Sequence, residues 1–215
     1  MSATQFWLIR HGETQWNADR RLQGWRDVAL NATGIEQARC VAAYLGSSSF
    51  TPKIDVVLSS DLGRALNTAR IGAAHLQQTI ETDALLRERN YGIYEGQDWA
   101  ELKVDPGRTQ GVDFDDPGQA VENGESLRAF NDRIVAAFEA LAQRHASRNV
   151  LVFTHGGVVD IVWRRASQLS LQAPRPEPIL NGSINHLSID HENRWSLVDW
   201  GITQHLESVV LSDSP

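Results

Sequence analysis

The stretch Leu8-Ile9-Arg10-His11-Gly12-Glu13-Thr14 decides how this chain is read. The apolar run Phe6 to Ile9 has the length and character of a buried strand. It stops abruptly at a cation, an imidazole and a glycine. Burying a charge without a partner is costly, so Arg10 and His11 at a strand end point to something bound there. Gly12 frees the backbone for a tight turn. The stretch reads as an anion site containing a nucleophilic histidine.

Two further apolar runs end in the same manner. Ile54–Leu58 leads into Ser59-Ser60-Asp61, with Arg64 one helical turn on. Val150–Phe153 leads into Thr154-His155-Gly156-Gly157. Helical spacing separates the runs. Thr33 caps a helix over about 34–46 with Ala38, Val41, Ala42 and Leu45 on its apolar face. Ser59-Ser60-Asp61 caps a second, carrying Leu62, Ala65, Leu66 and Ala69. A long helix starts near Glu125, with Leu127, Phe130, Ile134, Ala137, Phe138 and Leu141, and another covers Val158–Ala166. Thr79–Thr82 reads as a short strand. Ser183–Ile189 and Arg194–Val198 close the chain as a hairpin around His191-Glu192-Asn193. This alternation predicts an α/β fold: three layers, α/β/α, with a mostly parallel central sheet and helices on both faces. In such sheets ligands bind beyond the carboxyl ends of the strands. Parallel strands would therefore bring Arg10, His11, Arg64 and His155 to one edge.

Length and composition bound the alternatives. The 215 residues suit one domain, 1–215, with no internal repeat or dividing linker. An insert near 83–123 is expected over the active site. Within it, 105–123 holds Pro106, Gly107, Gly111, Asp113, Asp115, Asp116 and Pro117, and is either an ordered excursion or a mobile lid. The net charge of −7 argues against nucleic acid, so an anionic ligand must be drawn by local cations. Cys40 is alone and reads as a small buried hydrophobe. The absence of a basic-then-apolar leader and of any membrane-length run predicts a cytoplasmic protein without membrane contact. Oligomeric state is open, a homodimer among the options. No metal is expected, because no histidine pair brackets a glutamate at helical spacing and no cysteine pair exists. His75, His145, His186, His191 and His205 lack the convergence of the other two.

Two arginines, two histidines and the amides of Gly156 and Gly157 at a helix start suit a dianionic phosphoryl group. A neutral imidazole can attack phosphorus, and the second can stabilise charge on the transferring group. Glu88, in Arg87-Glu88-Arg89 beside Tyr91-Gly92, is the candidate proton donor for the leaving oxygen.

The opening stretch, with Trp16-Asn17, resembles the first motif of the histidine phosphatase superfamily, also called phosphoglycerate mutase-like. The resemblance continues through Gln23-Gly24-Trp25, Ser59-Ser60-Asp61-Leu62-Gly63-Arg64-Ala65, Leu86-Arg87-Glu88, Glu95-Gly96, Gly124-Glu125-Ser126 and Thr154-His155-Gly156-Gly157. It implies a phosphoglycerate mutase-like fold and needs no cofactor or metal. It implies His11 as the phosphorylated nucleophile, with Arg10, Arg64 and His155 around the phosphoryl oxygens, aided by Asn17 and the Gly156 amide. Glu88 would be the acid and then the base. Gln23, Trp25, Arg89, Trp99 and Arg108 are candidates for the leaving-group side, and Gly24 is expected among the substrate-binding residues. The family divides into phosphatases and mutases. The insert from Glu88 to His155 is shorter than in the cofactor-dependent mutases. Between Gly96 and Gly124 the only cations are Lys103 and Arg108, with no arginine pair for a substrate carboxylate. Hydrolysis of a small phosphorylated metabolite is therefore expected, with phosphoglycerate mutase as the alternative and an inactive phospholigand-binding module as a third.

Overall fold

The computed structural model describes residues 2–102, 112–175, 178–207 and 209. Lys103, Pro106, Gly107, Arg108 and Gly111 lie outside the described residues. In chain order the elements are β1 (Thr4–Arg10), a one-turn α1 (Gln15–Ala18), α2 (Ala32–Leu45), β2 (Val56–Ser59), α3 (Gly63–Gly72), β3 (Ile80–Thr82), a one-turn α4 (Trp99–Leu102), α5 (Leu127–Arg144), β4 (Asn149–Thr154), α6 (Gly156–Ala166), β5 (Ile184–Ile189) and β6 (Trp195–Ile202). The strands form one sheet in the order β3-β2-β4-β1-β5-β6. β3, β2, β4 and β1 run parallel, while β5 and β6 close the sheet antiparallel.

Both faces of the sheet's centre are covered, which is why β1, β2 and β4 are buried along most of their length, while the edge strands β3 and β6 are largely exposed. On one face Phe6, Leu8, Val150 and Val152 pack against Phe130, Ile134 and Phe138 of α5 and Val158 and Val162 of α6. On the other, Ile9, Val57, Leu151 and Phe153 meet Val41 and Leu45 of α2 and Ala69 of α3. Each such side chain contributes about 1.5–3 kcal/mol when fully buried. Leu22, Phe114 and Val121, with Tyr91, Tyr94 and Trp99, form a third and smaller cluster outside the sheet. Among the described residues no helix is long and apolar enough to cross a membrane.

Two caps differ from expectation. Asn31, not Thr33, caps α2: its Oδ1 accepts the Gly34 N–H at 2.8 Å while its amide donates to Glu13. The turn before α3 contributes no cap, for Leu62 is the N-cap and the Gly63 N–H donates instead to Asp27 Oδ1 at 2.8 Å. Ser60 and Asp61 are used elsewhere, on His155 and Arg87. Cys40 is only partly buried.

The register positions the site. Arg10 lies opposite Thr154, and Ser59 opposite Phe153. The next residues continue the ladder: His11 N–H donates to Thr154 O and Ser60 N–H to Phe153 O, each at 2.9 Å. Three strand ends thus finish side by side.

Candidate active site

His11 leaves β1 in a turn held from three directions. Gly12 N–H donates to Thr68 Oγ1 at 3.0 Å, Asn181 Nδ2 donates to His11 O at 2.8 Å, and Gly182 N–H donates to Arg10 O at 3.0 Å. A side chain on Gly12 would collide with the Gly34 carbonyl, so α2 approaches the turn closely only because the residue is glycine. The imidazole Nδ1 sits 2.7 Å from Gly12 O. A carbonyl only accepts, so Nδ1 carries the proton and Nε2 carries a lone pair. Arg64 Nε–H donates to that Nε2 at 3.2 Å, in agreement. Burial, with Arg64 and Arg10 adding to it, holds His11 well below the ordinary imidazole value. The ring is therefore neutral at pH 7 and nucleophilic at Nε2.

Arg64, on the first turn of α3, is 1% exposed. Its Nη1 and Nη2 donate to Arg26 O and Gly24 O at 2.8 and 2.7 Å, which fixes the guanidinium against the imidazole. Burial lowers it to about 10, leaving it charged at neutral pH. Arg10 is also buried and donates to Ile179 O. A Cβ built on Gly156 would lie 3.2 Å from Arg10 Nε, so the guanidinium lies over the start of α6. The His155 ring is 5.2 Å from that of His11, at 62°. Its Nε2 meets Ser60 Oγ at 2.8 Å, and its Nδ1 makes no hydrogen bond among the described residues. Burial first, then Arg64, His11 and Arg10, keep His155 well below the ordinary imidazole value too.

Glu88 reaches the same place from the segment after β3. Its Oε1 accepts Arg89 N–H at 2.8 Å and its Oε2 accepts Gly157 N–H at 2.9 Å. Gly157 must lack a side chain, since a Cβ there would stand 2.2 Å from Glu88 Oε1. The start of α6 thus holds the carboxylate, as helix N-termini hold anions.

Arg10, His11, Arg64, Glu88, Gly156 and Gly157 line one cavity of about 740 Å³, together with Asn17, Gln23, Gly24 and Arg89. Asn17 is pinned in a capping box with Thr14. Gly24 acts through its carbonyl on Arg64. Arg89 is 3% exposed and largely committed: Nε donates to Glu125 O, Nη1 to Phe114 O, and the guanidinium lies 5.5 Å from the Tyr91 ring centroid and 5.6 Å from that of Phe114. Trp99 and Phe114 add an aromatic wall. Trp25, expected on the leaving-group side, is not part of the described cavity wall. Its indole N–H donates to Glu88 O at 2.8 Å and its ring lies under Arg87. Arg108 lies outside the described residues. Sequence reasoning missed Ser60, Thr68, Asn181 and Arg133 as supports; of these only Ser60 lay inside a quoted motif block. Among the described residues no three His, Cys, Asp or Glu side chains gather as a metal-ligand set.

This arrangement can hold a tetrahedral dianion between two guanidiniums and two imidazoles, with a carboxyl group beside it. Known proteins resemble the chain in sequence and in fold. Phosphoglycerate mutase-like protein 4 of Arabidopsis thaliana is 38% identical over 207 residues, 93% of this chain and 86% of that one. The metal-independent phosphoserine phosphatase of the same plant is 34% identical over 214 residues, 96% and 84% of the two chains. Among solved structures, Bacillus stearothermophilus YhfR superposes with a TM-score of 0.81 at 28% identity, covering 95% of this chain and 100% of that one. A phosphoserine phosphatase mutant from Entamoeba histolytica, in complex with phosphoserine, gives 0.80 at 25% identity, with 94% and 99% coverage. Residues 6–203 match the model of the histidine phosphatase superfamily, branch 1. With this match over most of its length, the chain belongs to the histidine phosphatase superfamily.

Proposed function

We propose that the protein is a metal-independent phosphomonoesterase acting on a small phosphorylated metabolite through a phosphohistidine on His11. The observation that carries this is the fixed tautomer of His11: Nδ1–H on Gly12 O, and a bare Nε2 on the cavity wall beside Arg64. The Arg64 Nε–H now on Nε2 marks a donor that a phosphoryl oxygen would take over. In the first step the Nε2 lone pair attacks phosphorus, the P–O bond to the leaving group breaks, and protonated Glu88 gives its proton to the leaving oxygen. In the second, the Glu88 carboxylate takes a proton from water, the oxygen attacks phosphorus, and the P–N bond breaks to release phosphate. Arg10, Arg64 and His155 stabilise the charge on the transferring group, the task that Mg²⁺ performs in other phosphoryl-transfer sites. The kinship with an enzyme named as a metal-independent phosphoserine phosphatase supports the reading and makes phosphoserine a first substrate to try.

A mutase reading is favoured by the relative named phosphoglycerate mutase-like, because both activities need these same residues. Against it, the described part of the insert, 112–123, supplies Phe114 and Asp115 to the cavity wall and contains no cation. Glu88 in turn has no purpose in a module that only binds. Incubation with phosphoserine and with 3-phosphoglycerate tests all three. Free phosphate and an acid-labile phosphoenzyme, both absent in His11→Ala, are expected. Formation of 2-phosphoglycerate would establish the mutase, and no phosphoenzyme with any phosphoester would establish the binding module.

A further inference from the structure

Glu88 must be placed to within a fraction of an ångström to serve as acid, yet it sits on a segment with no regular secondary structure. The backbone there is held from α5. Arg133, largely buried on that helix, has five N–H donors, and every one is used. Nη1 donates to Leu85 O at 2.7 Å and to Arg87 O at 3.1 Å, and Nη2 donates to Glu88 O at 3.1 Å. Nε and Nη2 form a fork on the Glu125 carboxylate, both at 2.8 Å. Glu125 in turn accepts Asn90 N–H on Oε2, gives its own N–H to Asn90 O at 2.8 Å, and takes Arg89 Nε–H on its carbonyl. One guanidinium and one carboxylate thus fix the backbone on both sides of Glu88. Neither group is on the cavity wall.

We infer that Arg133, oriented by Glu125, is a positioning residue that sets the aim of Glu88 toward the leaving oxygen. A lysine cannot substitute, because an ammonium has three donors at one point and no fork. The inference rests on Glu88 being the proton donor, and its test separates the two. Two substrates are compared on the whole enzyme: an aryl phosphate, whose phenolate departs without a proton, and an alkyl phosphate, whose alkoxide needs one. Arg133→Lys is expected to lower kcat/KM, which reports the step that expels the leaving group, on the alkyl phosphate by about 10- to 100-fold, the scale of a misplaced acid. It should leave kcat/KM on the aryl phosphate within about threefold, since binding and nucleophile are untouched, whereas hydrolysis of the phosphoenzyme, which also uses Glu88, is slowed equally with both substrates. In a Glu88→Gln background the same change should add nothing further, because the group it acts through is gone. Glu125→Gln, which keeps shape but loses one acceptor, should give the same pattern and serves if Arg133→Lys does not fold. If Glu88→Gln lowers kcat/KM alike for both substrates, the assignment of the acid fails. If Glu88→Gln discriminates between them while the Arg133 or Glu125 variant lowers kcat/KM alike for both, or still lowers it in the Glu88→Gln enzyme, the positioning inference is overturned.

Discussion

At its inner end the cavity is walled by Arg10, His11 and Arg64, all at most 3% exposed, each set at a strand end or on the first turn of a helix, with the His155 ring packed against that of His11. At its outer end it is walled by Trp99, Phe114 and exposed arginines such as Arg20, carried on loops and on a short helix. The inner residues belong to the sheet and share its core. The outer ones pack in the separate cluster of Leu22, Phe114 and Val121, pinned to the rest through Arg89. Under the proposed function, the group transferred and the group released would be recognised by parts of the chain with different mechanical support. The first cannot shift without moving the sheet, whereas the second can vary while the chemistry stays in place.

The sharpest way to break this division is at Arg64. Arg64→Met keeps the buried volume but removes the charge beside His11. Steady-state assay on an aryl phosphate should show kcat down by about 10²- to 10³-fold, as when a preorganised donor is lost. The carbonyls of Gly24 and Arg26 also lose their partners, so the melting temperature should fall as well. A change in KM alone would show that Arg64 serves binding and not the transition state.

Arg89→Met probes the outer end. It frees Phe114 O and Glu125 O and removes the cation between Tyr91 and Phe114. KM should rise by about 5- to 10-fold with kcat within about threefold, the signature of lost uniform binding. The backbone N–H that holds Glu88 is unaffected by this change. A large loss of kcat would mean that the two ends are not separable.

A smaller effect follows from pH. His11 and His155 are held below the ordinary value, chiefly by burial. Unfolded, both imidazoles take up protons near pH 6.5; folded, they stay neutral to lower pH. Below 6.5 the unfolded chain therefore binds more protons, and stability falls as pH falls. Melts should drop by a few degrees between pH 7.5 and 5.5, less so in His155→Gln. Meanwhile kcat/KM on an aryl phosphate should show no acid limb at 6.5. A limb there would assign an ordinary imidazole to the nucleophile and contradict the buried inner end.

The inner end was legible in the linear chain because parallel strands bring their carboxyl ends together. Once Phe6–Ile9, Ile54–Leu58 and Val150–Phe153 are read as neighbours, the residues that follow them must meet. The outer end was not legible in the same way. Arg89 was read as a candidate for the leaving-group side; it does line the cavity, but its guanidinium is tied to two carbonyls. Trp25 was read as a cavity residue and instead supports Glu88 from behind. Such outcomes depend on which backbone carbonyl lies within 3 Å, and no periodicity encodes that.

The sequence by itself determined that buried strands end in cations and imidazoles, that a glycine pair opens a helix beside one of them, and hence that an anion site is to be expected at one sheet edge. Those conclusions follow from local rules: hydrophobic period, the cost of burying charge, and the donors exposed at a helix start. Only the tertiary structure decided which imidazole nitrogen carries the proton, and that Arg133 and Glu125 hold the backbone around Glu88. Each of those depends on a hydrogen bond whose direction and length are set by how separate elements pack.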